Sequence, residues 1–229
     1  MDDSFDVNLS TLSTNSKETK ENSFCSSGNN SVFSCVNFLS KEKKQKILSS
    51  ILANLIQVIR DNEDSLDRCE KSVIIKEYGE CEDYKGVNRP RSYSTPCIFK
   101  RKNDIFTLEK PLKIPLNVYI QNILSKTNME IASFIAAIIY IDQYCEAYKY
   151  FLTSNNVHRI LLAACLISVK FNEDIVLFNN LYISKKFGIT TEELKALEMT
   201  LFVSLDYNLY IAEEDYLKYV EYFLGNEED

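Results

Sequence analysis

The sequence offers few residues with which an enzyme could do chemistry. His158 is the only histidine among the 229 residues, which excludes a multi-histidine metal site and leaves acid–base catalysis without its commonest residue. The seven cysteines are odd in number and never form a Cys-x-x-Cys pair, so they indicate reduced thiols. The sequence also contains no glycine-rich phosphate loop and no nucleophile elbow. On these residues an enzyme is the least favoured functional class, and we expect no cofactor and no metal.

The charge and hydropathy of the chain narrow the class of partner. Lys and Arg number 26 against 33 Asp and Glu, for a net charge of −7, which argues against a nucleic-acid binder because phosphate neutralisation needs a basic face. The chain starts with polar, acidic residues, and no stretch reaches the roughly 18 apolar residues of a membrane span. We expect a protein of the nucleus, the cytoplasm or both, which binds a protein partner or a small ligand and makes no membrane contact.

The first hundred residues divide into three predicted parts. Residues 1–40 are rich in Ser, Thr and Asn without any period, which predicts a disordered arm. In residues 41–62 apolar side chains recur every three or four positions, which predicts a helix ending near residue 62. Residues 63–105 lose this order and predict a charged loop or linker. Within it, Thr95 precedes a proline between basic clusters and is a candidate phosphorylation site. An ordinary proline-containing loop is the alternative.

From residue 106 to residue 224 the pattern is helical throughout, and 225–229 form an acidic tail. The runs 131–141 and 157–169 are apolar on nearly all sides, which predicts two central helices of a bundle. Asn128 is predicted to cap the first of these helices at its N-terminus, and Gly188 to end a shorter one in a left-handed conformation. Thr190 and Glu193 form a capping-box pattern for the helix that follows.

Several short motifs in this helical region resemble the cyclin box, and in particular that of the P/U-type cyclins. The strings are Phe106-x4-Pro111, Phe134-x5-Tyr140-Ile-Asp142, Asn156-Val-His-Arg159, Val169-Lys-Phe171 followed by Glu173-Asp174, Asn179-Asn-x-Tyr182, and Leu194-x2-Leu-Glu198-x2-Leu201. The resemblance covers residues 106–224. It implies an all-α protein with a single five-helix cyclin box, preceded by the N-terminal helix and the disordered arm.

The resemblance implies a regulatory subunit that binds and activates a cyclin-dependent kinase as a heterodimer. It assigns the kinase interface to Lys170, Phe171 and Glu198, with Lys170 and Glu198 side by side and hydrogen-bonding main-chain groups of the kinase. From position alone, Lys170 could instead be a lysine at a helix end that extends to solvent, and Glu198 a solvated residue at the edge of an apolar stripe.

Three further residues of the motifs are expected to have structural roles. In related proteins the acid matching Asp142 pairs with an arginine of the first box helix, but this chain has only Lys113 and Lys126 in that region. His158 and Arg159 are expected to cap or pack. The chain has no tryptophan, so we also expect it to lack the tryptophan-lined docking cleft that some cyclins carry on the first helix.

Two other functional classes remain as alternatives to the kinase regulator. A cyclin-fold adaptor of the transcription-factor or retinoblastoma type could bridge proteins or DNA without any kinase, but the acidic charge and the presence of both Lys170 and Glu198 weigh against it. An enzyme is the third class and ranks last because the sequence carries none of the catalytic motifs considered above.

Overall fold

The all-α prediction is confirmed. The computed structural model describes residues 36–77, 104–174 and 179–225, and within these ranges it contains seven α-helices and no strand. The helices are α1 (Lys41–Glu77), α2 (Leu116–Thr127), α3 (Ile131–Tyr148), α4 (Val157–Asn172), α5 (Asn180–Phe187), α6 (Thr191–Ser204) and α7 (Glu213–Leu224). None of these helices is long and apolar enough to cross a bilayer.

Helices α3 and α4 form the centre of the bundle, as their apolar runs predict. Residues 132–141 of α3 are all buried, and in α4 residues 157–169 are buried except Arg159. Two helices without a polar face can only lie inside a bundle, because each must be covered by neighbours on every side. α4 contacts α2, α3 and α6, and α3 contacts α4 and α7. This rigid centre fixes the positions of the helix ends around it.

Helix α1 is longer than the sequence pattern predicts. The expected end near residue 62 is wrong, because the helix continues through Glu77. Polar residues at the expected end have tertiary partners: Asn62 Nδ2 donates to the Leu152 carbonyl at 3.0 Å, and Glu63 Oε1 accepts from the Ser154 amide at 2.8 Å. The charged stretch therefore attaches α1 to the loop between α3 and α4. Earlier in the helix, one buried face packs against α7.

The helix ends confirm some of the capping predictions and correct one. Gly188 ends α5 with φ +66°, and the Thr190 hydroxyl accepts from the Glu193 amide at 3.1 Å. Asn128, in contrast, is the C-terminal cap of α2 with φ +54°, and Glu130 occupies the N-cap position of α3. Asparagine suits both kinds of cap, because it tolerates the left-handed region and its side chain accepts from backbone amides. The sequence alone could not separate the two roles.

Residues 104–108 attach the segment before α2 to the helical core. The Phe106 side chain is fully buried and meets the ring of Tyr144 edge-on, with the centroids 5.7 Å apart. Asp104 accepts a hydrogen bond from the Tyr150 hydroxyl at 2.6 Å, and Leu108 exchanges backbone and side-chain hydrogen bonds with Asn155. Residues 1–35, 78–103, 175–178 and 226–229 lie outside the described ranges. Most of the predicted disordered arm, of the predicted loop and of the acidic tail is therefore not described.

Candidate functional site

Three polar side chains from three helices meet at one end of the bundle. Lys170 Nζ lies 2.5 Å from Glu198 Oε1 and 2.5 Å from Asn180 Oδ1. Asn180 Nδ2 closes the ring by donating to Glu198 Oε2 at 2.8 Å. We call these three residues the Lys–Asn–Glu cluster. The ammonium bridges an amide oxygen and a carboxylate, so every member holds the other two in place.

Each member of the cluster is positioned by a different feature of the local sequence. Lys170 lies in the last turn of α4, whose buried residues anchor it in the core. Asn180 is the first residue of α5, and Asn179 begins that helix by accepting from the Tyr182 amide at 2.9 Å. Glu198 lies on α6, whose Leu194, Leu197 and Leu201 are buried. Contacts of α6 with both α4 and α5 bring the three side chains together.

The cluster keeps hydrogen-bonding capacity for a partner. Of the three N–H donors on a lysine ammonium, the cluster uses two, and the Lys170 side chain is 35% exposed. Glu198 is 16% exposed and has further lone pairs on its two carboxylate oxygens. One free donor beside a free acceptor can bind a main-chain carbonyl and a main-chain amide at the same time. The arrangement therefore suits recognition of a partner's backbone.

Exposed apolar residues accompany the polar cluster. Each of its members is followed in the chain by a large side chain that is about half exposed: Phe171 is 57% exposed, Leu181 55% and Met199 50%. A polar centre with apolar residues beside it is typical of protein interfaces, in which the apolar area supplies affinity and the polar groups fix orientation. The predicted interface residue Phe171 is thus available to a partner.

Comparison with known proteins decides the family. The family model described as Cyclin matches residues 9–209, which is most of the chain. The chain belongs to the cyclin family. This agrees with the order and spacing of the motifs in the helical region, and members of the family are regulatory, non-catalytic subunits.

The similar curated proteins are cyclins of the P, U and PHO85-related types, as the motifs predict. Cyclin-P3-1 of Oryza sativa subsp. japonica is 28% identical over 52% of this chain and 50% of its own length. PHO85 cyclin-like protein psl1 of Schizosaccharomyces pombe is 28% identical over 82% of this chain and 70% of its own length. Cyclin-U4-3 of Arabidopsis thaliana is 29% identical over 52% and 55%. The match thus spans about half the length of these two plant relatives.

Asp142 of this cyclin contacts a tyrosine. Its Oδ2 accepts a hydrogen bond from the Tyr219 hydroxyl of α7 at 2.5 Å. Of the two lysines near the first box helix, Lys126 donates to the Lys186 carbonyl at 3.3 Å instead. Burial and the neighbouring carboxylate both raise the pKa of Tyr219, so the phenol remains a donor at neutral pH. The contact joins α3 to α7 without an ion pair.

His158 and Arg159 both have structural contacts. His158 is 6% exposed, its ring lies edge-on to Tyr119, and its Nε2 is 3.0 Å from the Ile114 carbonyl. Burial lowers the pKa of His158, which favours the neutral ring. Arg159 Nη2 pairs with Glu193 Oε1 at 2.5 Å and thereby connects α4 to α6. The Glu193 side chain makes this contact, while its amide completes the cap described above.

Asn180 is the site residue that the sequence-based assignment missed. It belongs to the string Asn179-Asn-x-Tyr182, but nothing in the string separates the asparagine that caps α5 from the one that bridges Lys170 and Glu198. Thr95, the candidate phosphorylation site, lies outside the described residues.

The structure also shows no candidate metal site in the part of the chain that it describes. No group of three or more His, Cys, Asp or Glu side chains there could hold a metal ion.

Proposed function

We propose that this cyclin binds a cyclin-dependent protein kinase through the Lys–Asn–Glu cluster and its exposed apolar neighbours, and thereby activates the kinase. The observation that carries the proposal is the cluster itself: a pre-organised donor and acceptor, partly exposed, at an end of a rigid bundle. The names of the similar P-type, U-type and PHO85-like cyclins support the same class of function.

The physical basis of activation is a shift in population. In protein kinases a Lys–Glu ion pair forms only when the mobile helix that carries the glutamate is held in its active position. A partner that binds this active position better than the inactive one raises its population by the difference in affinity. A bundle centred on α3 and α4, buried on all sides, presents a fixed surface to the mobile helix. The catalytic groups then belong wholly to the kinase.

Affinity purification of the tagged full chain from its own cells tests the proposal. The eluate is analysed by mass spectrometry and assayed for protein kinase activity. The double variant Lys170→Glu/Glu198→Ala is compared with Lys41→Glu/Glu109→Ala, which makes the same changes at exposed positions of the α1 start and of the loop before α2. We expect a cyclin-dependent kinase with the wild type and the control, and at least about tenfold less kinase activity with the cluster variant.

Two results would contradict the proposal. Recovery of transcription proteins without any kinase would favour the adaptor alternative. Equal kinase recovery with the cluster variant and the control would place the interface on another surface. The melting temperature of each variant is measured in parallel, because a large loss of stability would instead identify Lys170 and Glu198 as residues required for folding.

A further inference from the structure

A cavity of about 440 Å³ lies between α1, α3, α7 and the loop that joins α3 to α4. We call it the α1–α7 cavity. Its apolar wall includes Leu55 of α1, Ile141 of α3 and Phe223 of α7. Two of its lining residues, Tyr222 and Phe151, are 64% and 38% exposed, so the cavity opens to the surface. A cavity of this size with an apolar wall can hold a ligand or a few side chains.

Hydrogen bonds hold the helices around this cavity at fixed distances. The Tyr222 hydroxyl of α7 donates to Asn54 Oδ1 of α1 at 2.8 Å. On the other side, Asn62 of α1 donates to the Leu152 carbonyl of the loop, as described above. A movement of α1 that closed the cavity would break these bonds. Burial of the apolar wall therefore requires an added apolar group.

The rim of the cavity is acidic where α3 meets α7. Asp142 lines the cavity and accepts the hydrogen bond of the Tyr219 hydroxyl. Burial, this hydrogen bond and the nearby charges of Asp142 and Glu146 all raise the pKa of Tyr219, so both carboxylates lie close to the phenol. Lys149 is the one cation among the described residues that line the cavity. An occupant with several positive charges next to its apolar part would complement this rim.

The chain enters the second described range beside this cavity. Asp104, the first residue of that range, accepts from the Tyr150 hydroxyl at 2.6 Å, and Tyr150 lines the cavity. An extended chain covers at most about 3.6 Å per residue, so Phe99 must lie within about 18 Å of Asp104. The residues directly before Asp104 can therefore reach the cavity.

The sequence in this position combines the two chemistries that the cavity and its rim would accept. Cys97-Ile98-Phe99 is the only run of three apolar residues between positions 78 and 103, and Lys100-Arg101-Lys102 follows it directly. A short basic run in a loop is commonly a solvated surface. That explanation does not account for the apolar run directly before it. An apolar run followed by three cations matches an apolar cavity with an acidic rim.

We propose that the α1–α7 cavity is an intramolecular docking site for residues 98–102 of the same chain. Ile98 and Phe99 would fill the cavity, and the three basic residues would lie against Asp142 and Glu146. Burial of the two apolar side chains would supply most of the affinity, and the charges would fix the direction of the segment.

The covalent connection favours this occupant over a separate molecule. A segment attached a few residues away at Asp104 has an effective concentration in about the millimolar range, so even a weak contact would be populated. Docking would also tie Thr95, three positions before Ile98, to the face of the bundle formed by α1, α3 and α7. This inference does not rest on the proposed function, and it is tested without any kinase.

Photo-crosslinking of the full chain tests where Phe99 lies. The variant Phe99→p-benzoylphenylalanine is irradiated at low concentration, and the crosslinked tryptic peptides are identified by mass spectrometry. We expect crosslinks within one chain to the peptides of α1, α3 and α7 that line the cavity. Tyr84→p-benzoylphenylalanine is the matched control, because Tyr84 is another aromatic residue between positions 78 and 103. It should give at least about fivefold fewer of these crosslinks.

Limited digestion with trypsin tests whether the segment is held. The rate of cleavage after residues 100–102 is divided by the rate of cleavage after Arg91 in the same molecules. We expect Ile98→Ser/Phe99→Ser to raise this ratio about fivefold or more, because a docked backbone is protected from the protease. Val87→Ser removes another apolar side chain from the same part of the chain and should leave the ratio unchanged. Melting curves confirm that the bundle of each variant is folded.

Three results would overturn the proposal. Equal crosslinking to the cavity from Phe99 and Tyr84, or a digestion ratio unchanged by the double serine variant, would show that residues 98–102 are not docked there. Crosslinks from Phe99 to the cavity of another molecule would make a second copy of the chain the occupant. Absence of both crosslinks and protection would leave the cavity to a partner outside this chain.

Discussion

At the residue scale, the adjacent residues Asn179 and Asn180 have different structural roles. The Asn179 side chain caps α5, whereas Asn180 bridges Lys170 and Glu198. Sequence reasoning selected Lys170 and Glu198 as neighbours, because the family resemblance assigns both residues to one interface, and the structure places them 2.5 Å apart. It could not select Asn180, because its role depends on how α5 packs against α6, which the local sequence does not encode. Because Asn179 and Asn180 are adjacent and of the same type, substituting each in turn separates the effect of the helix cap from the effect of the cluster.

We expect Asn179→Ala and Asn180→Ala to affect different properties. Loss of the cap should lower the free energy of unfolding by about 1 kcal/mol, since an α5 backbone amide loses its acceptor. Asn180→Ala should cost less stability, because the Lys170–Glu198 pair remains, but should weaken binding of the kinase recovered with the wild-type chain. Urea unfolding and a titration of that kinase measure the two effects. If Asn179→Ala weakened kinase binding more than Asn180→Ala, the assignment of Asn180 to the interface would be wrong.

His158 should make the stability of the fold depend on pH. Burial lowers the pKa of the folded-state imidazole below its ordinary value of 6.5, so below about pH 6.5 the unfolded chain binds a proton that the folded chain resists. The free energy of unfolding should therefore fall as the pH drops from about 6.5 toward the folded-state pKa. With Nε2 placed against the Ile114 carbonyl, the incoming proton would go to Nδ1, which is buried and has no partner among the described residues.

The control for this pH dependence is His158→Gln, which retains a side-chain donor but does not titrate. Urea unfolding between pH 5 and pH 7.5 should give a steeper loss of stability toward acid for the wild type than for the variant. Glu173 contributes in the opposite direction in both proteins, because burial raises its pKa, and the comparison with the variant removes this contribution. Parallel curves for the two proteins would show that the His158 environment tolerates the charge.

At the scale of the elements, α1 shows what a hydrophobic pattern can and cannot predict. The stripe of apolar residues correctly predicts a helix and its buried face, because burial of that face is what stabilises the helix. The same pattern gives the wrong end, because the apolar stripe stops near residue 59 of the sequence and the helix continues through Glu77. Asn62 and Glu63 bind backbone groups of a distant loop there, and such contacts leave no periodic trace in the sequence.

Truncation of the buried face of α1 should therefore destabilise the whole molecule. Ile51 is 1% exposed, and Ile51→Ala should reduce the free energy of unfolding by about 2–4 kcal/mol through lost burial and the cavity left behind. Val58 lies on the same helix but is 43% exposed, so Val58→Ala should cost less than about 1 kcal/mol. Chemical denaturation of both variants tests the packing of α1 against α7. If Ile51→Ala and Val58→Ala reduced the free energy of unfolding by the same amount, α1 would not be part of the cooperative fold.

At the scale of the whole molecule, the order of the helices could be predicted more completely than the surfaces. The two apolar runs that become α3 and α4 predict the centre of the bundle, and the motif order predicts the cyclin fold. A cavity of about 600 Å³ could not be predicted, because its lining residues come from α2, α4, α5 and the segment before α2. Its lysines, Lys126, Lys185 and Lys186, are each an ordinary helix-end residue, and only tertiary packing places them around one cavity.

One end of the bundle should carry the kinase interface. Lys170→Glu should weaken binding of the kinase recovered with the wild-type chain at least about tenfold, because it places a second carboxylate beside Glu198. Lys185→Gln/Lys186→Gln, in the last turn of the short helix that Asn180 begins, should leave that affinity unchanged. Both variants of the full chain are titrated with the kinase, and their melting temperatures are measured in parallel. If the double lysine variant weakened binding as much as Lys170→Glu while its melting temperature was unchanged, the interface would have to extend along α5, or the effect would have to be transmitted through that helix.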